Sequence, residues 1–191
     1  MLMNQMTRFG VLIAFSLLPM AHAAELNGVK MADEAKIGST PLVLNGLGLR
    51  QKKILFNIDV YVGGLYVTKK SQDGPAIMSS PDPKRVELAF LRSVTTGQIR
   101  DAFDEAYKDN CEPECAALKP SFDKLIAMMA PMKTGDRLAF DISPTKVDVS
   151  LDGKAVGTVE DSKFPAALLK TWLGSHPPTE ALKDGMLGAS H

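Results

Sequence analysis

The sequence predicts an α+β domain, an antiparallel β-sheet covered by helices on one face. Three observations predict it. Strand-type and helix-type segments arrive in blocks rather than in regular alternation. The segment 54–67, ILFNIDVYVGGLYV, is rich in β-branched and aromatic residues. Further on, Ile99, Ala102, Phe103 and Ala106 recur at helical spacing.

Taken in order, residues 25–70 read as strands. Leu42 to Arg50 is an apolar run that becomes punctuated by Gly46 and Gly48. Gln51-Lys52-Lys53 is expected to be the turn into the next strand, Ile54 to Val67. In that strand Ile54, Phe56, Ile58 and Val60 fall on one parity, and Asn57, Asp59 and Tyr61 on the other. Gly63-Gly64 suggests a bulge that would switch the parity, or a close backbone approach. Glycines 46, 48, 63 and 64 are read as conformational.

Residues 71–83 are a loop or short helix, and Lys84 to Arg92 is a strand. Val94 to Gly97 precede a helix over Ile99 to Lys108. A second helical pattern runs over residues 115–129 until Pro131. Strands follow at Arg137–Ile142, Lys146–Leu151 and Lys154–Val159, with Asp152-Gly153 as a hairpin turn. Helices then cover Phe164 to Leu173, stopped by Gly174, and Thr179 to Leu187.

The N-terminus reads as a secretory signal peptide over residues 1–23. Arg8 precedes the apolar run VLIAFSLLPM and the small-residue site Ala21-His22-Ala23. That run is short for a membrane span, which needs roughly 20 apolar residues. The working domain is expected to cover residues 24–191 in the periplasm, with no transmembrane segment after cleavage. Losing Arg8 leaves 21 basic residues against 22 acidic, a net charge of −1. Such a balance, with no basic stripe, gives the chain no overall charge to draw it to nucleic acid or to anionic lipid, and neither is expected as a partner.

Only two cysteines are present, Cys111 and Cys115, on either side of Glu112-Pro113-Glu114. In an oxidising compartment two nearby cysteines usually pair, so a local disulfide is expected. Two thiols without a nearby His make a poor zinc set, and the spacing is not C-x-x-C. No metal and no cofactor are expected.

The segment LNGLGLRQKKILFNIDVYVGGLYV, residues 44–67, resembles the chalcone isomerase-like family. FPAALLKTWLGSHPPTEALKDGMLG, residues 164–188, resembles the family's closing helices. The resemblance spans nearly all of the mature chain and implies an open-faced β-sandwich. The family includes plant isomerases that close a chalcone to a flavanone, and fatty-acid-binding members.

In the isomerases a strand Arg holds the phenolate or developing enolate, and Arg50 occupies that position. Tyr61 stands where they carry a catalytic Thr, and an Arg–Tyr pair resembles the fatty-acid-binding members, where both hold the carboxylate. Of the isomerases' further Tyr and Asn, a straight alignment puts Ile99 and Ala106 near the two positions; Tyr107 and Asn110 lie further along. The isomerase set is thus incomplete.

Physically, a guanidinium fork matches a carboxylate, and a phenol beside it adds a second donor. The resemblance therefore implies a binder of a small apolar acid or lipid-like ligand through Arg50 and Tyr61. An alternative is an intramolecular lyase using Arg50 for charge stabilisation; another is a structural or partner-binding envelope protein. Arg50 is otherwise an exposed strand end or a partner of Asp59, and Tyr61 otherwise a core or sheet aromatic. Tyr66 and Trp172 read as core, and His176 as a surface-loop residue. Met128, Met129 and Met132 read as packing, or as an adaptable pocket wall.

Overall fold

The computed structural model describes residues 23–189 apart from 54, 112 and 114. Of the segment 1–23 expected to be a signal peptide, residues 1–22 lie outside the described residues, as does Ile54. Short strands β1 (Ala23–Leu26) and β2 (Val29–Ala32) form a separate hairpin. Its turn is Asn27-Gly28, both at positive φ, 50° and 76°, as a two-residue primed turn requires.

The main sheet has seven strands in simple sequential order, all antiparallel: β3 (Glu34–Ile37), β4 (Thr40–Lys53), β5 (Asn57–Val67), β6 (Lys84–Phe90), β7 (Arg137–Ser143), β8 (Lys146–Leu151) and β9 (Lys154–Glu160). The β8–β9 turn places Asp152 and Gly153 at φ 46° and 74°, the same primed geometry.

The helices are α1 (Gly74–Ser79), α2 (Thr96–Cys111), α3 (Lys119–Ala127), α4 (Phe164–Leu173) and α5 (Glu180–Met186). A reciprocal capping box opens α2: Thr95 Oγ1 accepts from the Gln98 amide, and Gln98 Oε1 accepts from the Thr95 amide. At its end, Cys111 is joined to Cys115 by a disulfide, with Cα atoms 5.0 Å apart. The local pairing expected from the sequence is therefore present.

The apolar residues divide between two faces of the sheet. The larger core lies under the helices and includes Leu65, Leu88, Phe140, Phe122, Leu168 and Trp172. A smaller one, with Met31, Leu44, Val62 and Tyr66, is closed on the opposite face by the β1–β2 hairpin. Helices do cover one face, as the block order predicts, and the N-terminal hairpin covers part of the other.

Two bulges in the β4–β5 pairing decide which residues face which core. Leu44 pairs with Tyr66 and Gly46 with Leu65, leaving Asn45 as the extra residue. The Asn45 amide donates to the carbonyls of Ser71 and Met186 and accepts from the Ser71 amide, so the bulge staples α5 and the β5–α1 loop to the sheet. At the second bulge Arg50 pairs with Tyr61 but Gln51 pairs with Asp59, leaving Val60 extra in β5.

The second bulge corrects the strand reading. The parity switch lies at Val60, whereas Gly63-Gly64 pairs regularly with Gly48 and Leu47. Consequently Val60 and Tyr61, neighbours in sequence, both belong to the core under the helices.

Gln51, Lys52 and Lys53 continue β4, pairing with Asp59, Ile58 and Asn57, instead of making the turn. The reversal falls after Lys53, and β5 begins only at Asn57. The lysines thus continue the ladder, and Leu55 and Phe56 lie exposed at the tip.

None of glycines 46, 48, 63 and 64 has positive φ. They are there for room: a Cβ on Gly46 would lie 2.1 Å from the Gly185 carbonyl oxygen, and one on Gly48 2.1 Å from that of Leu182. Helix α5 lies directly on the β4 backbone along this seam.

Candidate functional site

A cavity of about 640 Å³ opens between one end of the sheet and the helices. Its floor comes from β4, β5 and β6, including Arg50, Ile58, Val60, Tyr61, Leu88 and Phe90. Helix α2 supplies Ile99, Ala102, Phe103 and Ala106, the stripe that predicted the helix. Thr171 and Trp172 of α4, with residues 176–179 between α4 and α5, close the remaining side.

Arg50 and Tyr61 are opposite each other in the ladder, and the Arg50 Cζ stands 5.8 Å from the centre of the Tyr61 ring. Among the described residues, Arg50 makes no ion pair with a carboxylate. Asp59, a partner considered for it, instead accepts from Gln51 Nε2 and Asn27 Nδ2, both at 2.7 Å. The half-buried guanidinium is thus left facing the cavity.

Tyr61 is 7% exposed, and its ring meets Phe90 edge-on at 5.8 Å. Its hydroxyl oxygen accepts from the Trp172 indole N–H at 3.3 Å. An indole only donates, so the Tyr61 proton is not used in this bond and remains available to another acceptor. Burial pushes the Tyr61 pKa above the ordinary tyrosine value; the Arg50 cation and the Trp172 hydrogen bond oppose that rise without cancelling it. The hydroxyl is therefore a neutral donor beside a fixed cation.

Other polar groups sit at the rim. Arg92 and Gln98 line the cavity, as do Asp101, Glu105 and Asp109 on exposed positions of α2. The chemistry is polarised: apolar depth, a guanidinium–phenol pair on the sheet side and carboxylates on the helix side. Among the described residues no group of three His, Cys, Asp or Glu is placed to hold a metal ion.

The remaining residues considered from sequence fall as follows. Ile99 and Ala106 line the cavity. Tyr107 does not: it is buried against Phe122, ring centres 5.0 Å apart, with its hydroxyl directed to the Ala116 carbonyl at 3.4 Å. Asn110 holds the α4–α5 loop, donating to the His176 carbonyl at 2.8 Å and accepting from its amide at 3.0 Å. Tyr66 belongs to the opposite core, and Met128, Met129 and Met132 pack away from the cavity.

The sequence reading missed the role of Trp172, assigned only to the core, and the presence of Thr171 and His176 in the wall. Thr171 and Trp172 lie in the last turn of α4, ahead of a Gly-Ser-His stretch at 174–176, but nothing local says that the helix leans on Tyr61, 111 residues away.

A second recess, of about 440 Å³ beside β6–β8, is lined by charges that already have partners. Arg85 forms a two-pronged pair with Asp141, and Arg137 pairs with Glu87.

The comparisons with known proteins bear on the fold. A family model described as chalcone isomerase-like matches residues 23–188. Among solved structures, a fatty-acid-binding protein of Arabidopsis thaliana superposes with a TM-score of 0.69 at 19% identity, covering 87% of this chain and 96% of that one. No curated protein sequence matches significantly. With the family model matching nearly the whole described sheet and its helices, this chain belongs to the chalcone isomerase-like family.

Proposed function

We propose that the protein is an exported binder of a small apolar carboxylate, such as a fatty acid, whose anionic end is held by Arg50 and Tyr61. The observation that carries this reading is the arrangement of these two residues. An Arg50 cation with no carboxylate partner among the described residues stands opposite a Tyr61 hydroxyl that accepts from Trp172, and both line one cavity.

A carboxylate brings two acceptor oxygens to these two donors. The apolar walls take the hydrocarbon, and the volume falls in the roughly 300–1,000 Å³ range of small-molecule sites. The shared fold with a plant fatty-acid-binding protein supports the same reading. Export to the periplasm is supported by the N-terminal pattern and by the Cys111–Cys115 disulfide.

The test is binding of a fatty-acid series and turnover of a chalcone by the protein and by its Arg50→Ala variant. Fatty-acid binding that is lost in the variant, with no cyclisation, supports the reading. Cyclisation above background would replace it with the lyase alternative, in which Arg50 stabilises an enolate. No binding and no turnover would leave a structural role. Fractionation of the producing cell, with the N-terminus of the recovered chain determined by mass, tests the location.

A further inference from the structure

We infer that the β4–β5 hairpin tip is a membrane-docking element that seats the mouth of the cavity on an anionic lipid bilayer. Leu55 is 92% exposed and Phe56 69% exposed, at adjacent positions. Among the described residues the other large apolar side chain so exposed is Val156, at 40%, in the edge strand β9.

The tip breaks the rule that the other hairpins follow. The β1–β2, β3–β4, β7–β8 and β8–β9 reversals use Asn27-Gly28, Gly38-Ser39, Pro144-Thr145 and Asp152-Gly153, none of which carries a large apolar side chain. The β4–β5 reversal instead presents Leu55 and Phe56 to solvent. Local rules broken in this way, without a gain to the fold, mark functional sites.

Charge identifies the occupant. Lys52 and Lys53 precede the apolar pair, both are exposed, and the stretch 51–58 contains no acidic residue. An apolar wedge flanked by cations fits an anionic headgroup layer, where the side chains insert and the lysines meet phosphates. The carboxylates at the cavity, Asp101, Glu105 and Asp109, belong to α2 and not to this hairpin.

Position identifies the purpose. Lys52, Lys53 and Ile58, on either side of the tip, line the cavity, whereas Leu55 and Phe56 do not. A tip inserted in a bilayer therefore holds the opening at the lipid surface, and an apolar acid can pass from membrane to cavity without crossing water. This loading role rests on the reading of the cavity as a site for an apolar acid; the docking itself does not.

The experiment is flotation of the processed protein with vesicles of phosphatidylcholine alone and with phosphatidylglycerol added. Its companion is binding of a soluble short-chain fatty acid without vesicles. The protein is expected to float with the anionic vesicles, and less so in high salt. Leu55→Ser with Phe56→Ser is expected to weaken flotation about tenfold or more, with thermal midpoint and soluble-ligand binding unchanged. Lys52→Glu with Lys53→Glu is expected to abolish the preference for anionic vesicles.

Equal flotation of the serine variant, or none by the unaltered protein, overturns the inference. So does an unaltered protein that self-associates through the tip, forming dimers that the serine substitutions dissolve. The two readings fail separately: ligand binding without flotation removes the docking, and flotation lost in the serine variant without ligand binding removes the cavity reading.

Discussion

The indole N–H of Trp172 is donated to the hydroxyl oxygen of Tyr61 across 3.3 Å, joining the C-terminal helical layer to the middle of the sheet. The bond fixes the direction of a proton. With its oxygen accepting from below, the phenol can donate only elsewhere, and the cavity is where an acceptor would stand.

Tyr61→Phe tests this arrangement on two readouts. It leaves the buried indole N–H without its partner and is expected to lower stability by about 1–2 kcal/mol in urea unfolding. It is also expected to weaken fatty-acid binding by roughly tenfold, as loss of one hydrogen bond to a charged group does. Unchanged affinity with reduced stability would make Tyr61 a structural residue alone.

Arg50→Ala is expected to weaken binding of a fatty acid by about 1.5–3 kcal/mol, some ten- to a hundredfold, in calorimetry. Binding of the methyl ester of the same acid should change little, because it carries no charge. Arg50→Lys should recover only part of the loss, since an ammonium keeps the charge but not the planar fork. An ester that loses as much as the acid would contradict the assignment.

Alkaline pH should destabilise the fold through its buried tyrosines. Burial raises the Tyr61 pKa, and burial together with Glu87 pushes Tyr66 up to about 12. Unfolded tyrosines ionise near 10. Below that value both states hold the protons and the contribution is complete. Above it the unfolded chain releases protons that the folded chain keeps, so stability falls as pH rises from about 10 toward 12. Unfolding midpoints measured between pH 9 and 12 should fall along that interval, and Tyr66→Phe should flatten the decline.

Gly48, on the seam beneath α5, and Gly97, in α2, should respond to alanine in opposite ways. Gly48→Ala puts a Cβ 2.1 Å from the Leu182 carbonyl oxygen, which is backbone and cannot rotate aside. It is expected to cost about 3 kcal/mol or more, at the upper end of overpacking effects. Gly97→Ala, within α2, meets nothing closer than Thr95 Oγ1 at 3.8 Å. It is expected to stabilise by up to about 1 kcal/mol through helix propensity. Chemical denaturation of the two variants distinguishes crowding from conformation as the role of these residues.

Much of the fold was legible because its signals are local. The apolar stripe of α2, the Asp152-Gly153 turn and the Gly174 stop each act within a few residues of themselves. The pairing of Arg50 with Tyr61 in one cavity wall was also legible, from the resemblance of residues 44–67 rather than from their chemistry. The orientation of Tyr61 was not. Strict alternation sets it against Ile58, and only the pairing with β4 reveals Val60 as the extra residue. The lysines read as a turn and the apolar run as a strand because polarity and turn formation usually coincide; between β4 and β5 the tip is apolar and the ladder polar. The Trp172 contact depends on the packing of a helix against a distant strand, which no window of sequence contains.

The extra residue at Val60 puts two chain neighbours, Val60 and Tyr61, on the cavity face, so chain length joins residue identity in setting what the cavity holds. Excising Tyr61, one of the two neighbours on that face, would restore simple alternation and leave Val60 alone opposite Arg50, with every other side chain keeping its face. Insertion and deletion at this point of the ladder can therefore exchange a hydrogen-bond donor for a hydrocarbon wall in a single step.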